Sequence, residues 1–399
     1  MDYNEYPELL DALVRRVFTI EDITHGDSRQ GFVARYRGHL NTPDSAEAYD
    51  RLAEAVRPHG LIPLFREENG TQIVLLVNSP PAPKPGRPWL NLVMFLVTVL
   101  SVLVSGGLSN LQTDLSNDPL TAARQIINAG WPFAVSLLAI LSTHEMGHYI
   151  AGRMHGVHVT LPFFIPLPFT PLGTMGAFIS MKEVPKNRRV LMDIGVAGPI
   201  AGFIVSIVVV LIGLSLSKLN TIPLMFAEGQ GMQMEGNSLI YLFLKYLRYG
   251  ELLPRPVTFG DSGALIYWLR YFFTGRPTPY GAMDVLIHPV AWAGWVGFLV
   301  TSLNLIPAGQ LDGGHIFHLL FGTKWSQRIL PVILVVLVGL GFFWSGWWLW
   351  AGLVFLFGRR FAEPLDQITP LDTRRKALGI LALIIFIITF IPVPITLIG

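Results

Sequence analysis

Two kinds of patterning divide the chain. Up to about residue 80, apolar and polar positions alternate in short runs; beyond residue 88, long apolar runs take over. In the first part, residues 8–16 read as a short helix with Leu9, Leu10, Leu13 and Val14 on one side. Residues 17–23 and 30–37 alternate as strands about a His25-Gly26-Asp27 turn. An amphipathic helix follows over 44–57, where Ala46, Tyr49, Leu52, Ala53 and Val56 share a face. Strands at 61–65 and 72–77 make a hairpin about Glu68-Asn69-Gly70. This αββαββ order predicts a small α+β soluble domain over 1–80, one sheet with two helices on a face. Its histidines, His25, His39 and His59, sit singly beside turns or loops, which favours a regulatory or docking role over a catalytic one.

A stiff proline-rich linker over 81–88, with Lys84 and Arg87, leads into the membrane part over 89–399. Apolar runs at 89–108, 131–150, 190–214, 284–306, 327–344, 346–357 and 376–392 predict a multi-pass α-helical membrane protein of about seven spans. Residues 109–128 read as a polar external loop. Residues 157–183 are too broken by Pro162, Pro166, Pro168 and Pro171 to be a helix, so a β-hairpin or re-entrant element is expected there. Gly195, Gly198 and Gly202 give the third span a small-residue face for close helix packing. Residues 217–283 form an external insert whose aromatic and basic stretches, with Lys245, Arg248 and Arg270, suit the membrane interface. Basic residues beside the spans, from Arg87 to Lys376, predict a cytoplasmic N-terminal domain.

Composition agrees with this class: 51% of residues are hydrophobic and 14% charged, against about a quarter charged in soluble domains. The net charge of +2 gives no footing for nucleic acid. The start of the chain is neither a secretory signal nor an Arg-rich transit peptide, so a bacterial or archaeal plasma membrane is expected. There are no cysteines, so any metal must use His, Asp or Glu.

Within the second apolar run stands His144-Glu-Met-Gly-His148. Positions i and i+4 share a helix face, so the two imidazoles can hold one zinc ion. Glu145 beside the first can then deprotonate a water on it. A solvated polar face is the bland alternative, but it needs solvent, and Leu138, Ile140, Leu141 and Ile150 surround the motif. Ionisable groups inside lipid are costly and mark function. A third ligand is still owed. Pro307 and the nearby glycines break the fourth apolar run, and Asp312 lies in that break as the candidate carboxylate. A loop-capping aspartate is an equal reading of it on spacing alone, and His315 and His318 are rival ligands. If the stretch from Gly173 to Met181 is an edge strand, a substrate peptide can add to it, with Gly173, Gly176 and Phe178 as contacts; otherwise it is a loop that only packs.

Taken together, His144-Glu-Met-Gly-His148 and the later Asn304-x-x-Pro307-x-x-x-x-Asp312-Gly313 resemble the site-2 protease family of intramembrane zinc metalloproteases. With the Pro162–Pro166 run and no recognisable PDZ insert, the likeness is to the branch that includes plant chloroplast members. The resemblance implies one zinc per chain on His144, His148 and Asp312, with Glu145 as catalytic base. It also implies that Asn304 steadies the reacting carbonyl and that single-span membrane proteins are the substrates. The family's G-x-x-x-small motif is matched over Gly195–Gly202, without an asparagine at its last position. A zinc-handling transporter and a substrate-binding pseudoprotease remain as alternatives.

Overall fold

The computed structural model describes residues 5–26, 31–81, 86–111, 113–223, 231–259, 263–278 and 281–398. Lys84 of the linker, and Asp27 of the first expected turn, lie outside these residues.

The N-terminal part runs α1 (Glu5–Arg15), β1 (Phe18–His25), β2 (Ala34–Leu40), α2 (Ser45–Val56), β3 (Leu61–Glu68) and β4 (Thr71–Asn78). The strands form one antiparallel sheet in the order β1-β2-β4-β3. Asn69 and Gly70 both take positive φ (51° and 81°), which is what the tight β3–β4 turn requires. Asp44 caps α2 by accepting from the amides of Ala46 and Glu47. Val14, Tyr36, Leu52, Phe65 and Val74 are buried together between the helices and the sheet.

The remainder is mostly helical. In chain order it comprises α3 (Pro88–Asn110), α4 (Pro119–Met154), β5 (Phe163–Pro166), β6 (Thr174–Phe178) and α5 (Arg188–Leu216). Then come β7 (Lys218–Thr221), β8 (Met232–Glu235), α6 (Leu239–Tyr249), α7 (Gly263–Thr274) and β9 (Met283–Leu286). The last set is α8 (Pro289–Asn304), α9 (Asp312–Phe321), α10 (Thr323–Gly341), α11 (Gly346–Phe357), α12 (Thr373–Thr389) and β10 (Ile395–Ile398).

Four described helices, α3, α4, α5 and α10, are long and apolar enough to cross a membrane, rather than about seven. The 12 residues of α11 rise only ~18 Å against a hydrocarbon core of ~30 Å. At 16 and 17 residues, α8 and α12 lie at the lower limit of spanning length. The run expected over 284–306 is shortened because Asp284 belongs to β9, which pairs with β7, and its carboxylate faces the fully buried Lys245 at 3.4 Å. Pro289 then opens α8 at its first helical position. Conversely, the loop expected over 109–128 gives way to helix from Pro119, where Asp118 accepts from the Thr121 amide at 2.9 Å. Burial is inverted relative to a soluble bundle. Leu92, Val135, Ile204 and Val335 are exposed, whereas Thr98, Ser101, His144, Glu145, His148 and Ser206 are buried.

The N-terminal sheet docks on the membrane part through the edge of β3. Phe65 donates its amide to Leu365 and accepts from Gln367, both at 3.0 Å. On its other side the same segment donates from Leu365 and Asp366 to the carbonyls of Pro185 and Lys186. An otherwise bare sheet edge is thereby closed within the chain. Arg66 Nη1 donates to the carbonyls of Pro364 and Leu365, Ser45 Oγ meets Thr369 Oγ1 at 2.8 Å, and Lys186 pairs with Asp50. Asp366 is completely buried, and its carboxylate accepts from the amides of Ile368 and Thr369 and from the Thr369 hydroxyl. Burial raises its pKa above the ordinary carboxylate range.

Asp366→Ala removes the acceptor that shapes this segment and leaves two buried amides unpaired, a loss of about 1–3 kcal/mol. Hydrogen exchange should rise at 364–369 and along β3 with little change in α4 and α5. Unaltered exchange along β3 would mean that the segment does not hold the domain.

Candidate metal centre

The centre is assembled from α4, α5 and α9. His144 and His148 lie on the buried side of α4, one turn apart, with Glu145 between them and 7% exposed. That face is covered by α5, whose glycines leave room for the rings. A Cβ on Gly198 would sit 2.1 Å from His148 Nε2, and one on Gly202 would sit 3.0 Å from His144 Nδ1. From α4, a Cβ on Gly147 would meet the Ala197 carbonyl at 2.6 Å. Close approach also brings the Ile194 carbonyl of α5 to 2.7 Å from His148 Nδ1, which donates to it. With its proton on Nδ1, His148 presents Nε2 as a lone pair.

Asp312 comes from the far end of the bundle. Beyond Asn304 the backbone leaves the helix over 305–311 and folds back, so Asp312 is the first residue of α9 rather than part of the break. Glycines are required for this doubling. A Cβ on Gly313 would stand 1.9 Å from the Leu305 carbonyl oxygen, and one on Gly314 would stand 2.4 Å from that of Gly309.

Asp312 Oδ2 lies 3.2 Å from His148 Nε2 and 3.5 Å from His144 Nε2, and the two Nε2 atoms are 3.3 Å apart. Ligands about 2.1 Å from a tetrahedral zinc stand ~3.4 Å from one another, so the three atoms fit three corners of that site. Two imidazoles and one carboxylate are also a donor set that suits zinc. Among the described residues these three form the group able to hold a metal.

Other residues singled out from the sequence take distinct places. Asn304 Nδ2 is 3.3 Å from His144 Nε2. His315 borders the centre, but its Nδ1 accepts from the Ala362 amide at 3.2 Å, and His318 stacks on Phe361 with ring centres 4.9 Å apart. Neither joins the three convergent groups. Gly176 and Phe178 lie on β6 beside the centre, whereas Gly173 is buried with φ 71° and packs its backbone on α3, accepting from Ser101 Oγ at 2.6 Å.

Two cavities meet at His144, Glu145, Ala177 and Asn304. One, of about 250 Å3, includes His148, Phe178, Gln310, Asp312 and His315. The other, of about 300 Å3, is mostly apolar, with Leu141, Val296, Val300, Leu303 and Trp350. Past them runs the hairpin of β5 and β6, registered Phe163–Phe178 to Pro166–Thr174. The Ile179 amide that follows β6 lies against the Glu145 carboxylate. Sequence reading missed Trp350, Val300 and the Ile194 carbonyl. The first two are ordinary apolar span residues, and the third acts through its backbone, so none carries a local signal.

Zinc retained per purified chain checks the geometry. Asp312→Ala should lose the metal, and Gly198→Ala should weaken it about tenfold or more by displacing the His148 ring. His315→Ala should keep it. Full zinc in Asp312→Ala, or loss only in His315→Ala, would sink this ligand set.

A family model for peptidase family M50 matches residues 132–344, more than half of the chain. The probable zinc metalloprotease EGY2, chloroplastic, of Arabidopsis thaliana is 27% identical over 405 residues, covering 98% of this chain and 66% of the relative. The probable zinc metalloprotease EGY1, chloroplastic, of the same plant is 30% identical over 269 residues, covering 67% of this chain and 44% of the relative. A rice protein, the probable zinc metalloprotease EGY3, chloroplastic, is 26% identical over 267 residues, covering 65% of this chain and 42% of the relative. The chain thus spans two thirds or less of the length of these relatives. No solved structure matches it. On the extent of that family match, with its two motifs brought to one point, the chain belongs to peptidase family M50.

Proposed function

We infer that the chain is a zinc-dependent endopeptidase cutting peptide bonds in or near the transmembrane segments of other membrane proteins. One observation carries the reading: His144, His148 and Asp312 converge, with Glu145 beside them, on a cavity inside a bundle of apolar helices. Family membership supplies the reaction class.

His144, His148 and Asp312 would hold the zinc, which would supply Lewis-acid polarisation and lower the pKa of water towards ~7. Glu145, on the wall common to both cavities, accepts the proton of the attacking water and passes it to the leaving amine. Asn304, on the same wall, offers its amide N–H to the carbonyl oxygen where negative charge develops. A helical substrate hides its carbonyls and must unwind to react. Capture of the extended form is supported by β6, which among the described residues pairs only with β5, so its other edge can accept a strand. Gly176 and Phe178 are the contacts along that edge, and Gly173 shapes the turn that precedes it.

Glu145→Gln should keep one zinc per chain while cleavage of a reconstituted single-span substrate falls about a hundred- to ten-thousand-fold. Cleavage near the wild-type rate would remove Glu145 from the mechanism. Zinc transport into vesicles that this variant leaves intact, with no cleavage by either form, would favour a carrier instead.

The N-terminal sheet docks on the segment that runs from Arg359 and Arg360 to Arg375, and its Asp50 pairs with Lys186. This clustering of basic residues supports a cytoplasmic N-terminal domain; a bacterial or archaeal plasma membrane gains no support from the relatives, whose names are chloroplastic. With no native cysteine, single-cysteine variants read sidedness cleanly. Lys376→Cys should label only from the cytoplasmic side, and labelling from outside would reverse the orientation.

A further inference from the structure

Where α3 enters the membrane, a cavity of about 600 Å3 lies between its first turn, the C-terminal half of α4 and the β5–β6 hairpin. Among the described residues two cations line it, Arg87 and Lys182, and no acidic residue does. Neither cation has a carboxylate partner among the described residues, whereas His158, also on the wall, is paired through Nδ1 with Glu183 at 2.8 Å. Pro88 opens α3 and no side chain caps it, so the positive end of a 23-residue helix dipole faces the same space. Asn91 holds the geometry by donating to the carbonyls of Leu161 and Pro162 at 2.9 and 3.0 Å.

Apart from Thr160 and Ser180, the rest of the wall is mostly apolar or aromatic, including Leu161, Phe163 and Phe178. Just outside, Trp89 and Leu92 stand 61% and 58% exposed at the start of the span, as expected at the boundary of headgroups and acyl chains. A free inorganic anion would use the cations and leave that wall uncovered. A diacyl phospholipid with a net negative headgroup uses both.

We propose that this cavity binds the headgroup phosphate of an anionic phospholipid, on Arg87 and Lys182, with its acyl chains against Leu161 and Phe163. The site stands apart from the peptidase reading, because nothing in it requires the metal centre to turn over. It still adjoins that centre, since Phe178 lines both this cavity and the one holding His144 and His148. Occupancy therefore bears on the hairpin from the lipid side.

The test uses the full chain reconstituted with phosphatidylcholine and phosphatidylglycerol, then washed in mild detergent, with retained lipid measured by mass spectrometry. Wild type should retain phosphatidylglycerol in preference to phosphatidylcholine. Arg87→Ala/Lys182→Ala should reduce that retention on the order of tenfold or more with an unchanged melting temperature. Lys324→Ala/Arg328→Ala, with the same charge loss at the start of α10, should not. The single exposed change Lys182→Glu should lower retention too, so a folding defect in the double variant does not leave the question open. Equal retention of the two lipids by wild type would overturn the proposal, as would equal losses in both double variants. Binding of inorganic phosphate as tight as that of the lipid would overturn the assignment to a lipid. Altered substrate cleavage with lipid retention unchanged would assign the two cations to the substrate and likewise defeat it.

Discussion

Two imidazoles and a carboxylate have to be kept inside a bundle whose outer surface is apolar, and the approach of α4 to α5 is what makes that possible. Left facing lipid, such groups are expensive, whereas buried against protein they can be paired and aimed. Glycine is the means. Gly198 and Gly202 give the rings of His148 and His144 the volume a side chain would occupy, while Gly147 lets the backbone of α5 come close to α4. The same proximity delivers the Ile194 carbonyl to His148 Nδ1. A glycine face that serves helix packing therefore also sets the tautomer of His148, and the two roles meet at Gly198.

The third group illustrates the opposite device, an interruption of helix. Irregular backbone within a bundle is tolerated where its polar groups find partners. Between α8 and α9 they do: the amide of Leu305 donates to Thr301, that of Ala308 to Ile306, and that of His315 to Leu311. Gly309, with φ 56°, turns the chain against the Phe357 carbonyl, and Gly313 lies flat on Leu305. Asp312 emerges at the first turn of α9, where the helix dipole favours a negative charge, already directed at the two histidines.

Local rules made parts of this arrangement readable in advance. His144, Glu145 and His148 fall on one face because helical spacing puts them there, and the α-then-ββ order of the first 80 residues follows from alternation and from the Asn69-Gly70 turn. Convergence of Asp312 with the histidines depends on packing across the bundle, so spacing alone left it level with a loop cap. Apolar composition alone counted more spans than the four described helices that are long enough to cross a membrane. Residues 346–357 are apolar throughout but form only a three-turn helix, and Asp284 lies in a strand because Lys245, distant in sequence, faces its charge. Apolarity reports that a segment avoids water; it does not report whether lipid or protein provides the alternative.

His315 and His318 show why residue type was a poor guide to the ligand set. Both face the segment that follows α11: His315 accepts from the Ala362 amide, and His318 stacks on Phe361. A few residues later that segment pairs with the edge of β3 on one side and with residues 185–187 on the other. Residue 187 caps α5, the helix that covers the metal-facing side of α4, and Arg375 holds Asp193 of α5 from α12. The segment that pairs with the N-terminal sheet thus also contacts both elements that frame the centre, α9 through the bond from Ala362 to His315 and α5 through Lys186 and its neighbour Asn187. Had Nδ1 of His315 been a ligand, it could not also accept from Ala362, and this segment would lose that bond to the helix that carries Asp312. The histidine that stood as a rival ligand in the sequence instead anchors, at Ala362, the segment that also pairs with β3.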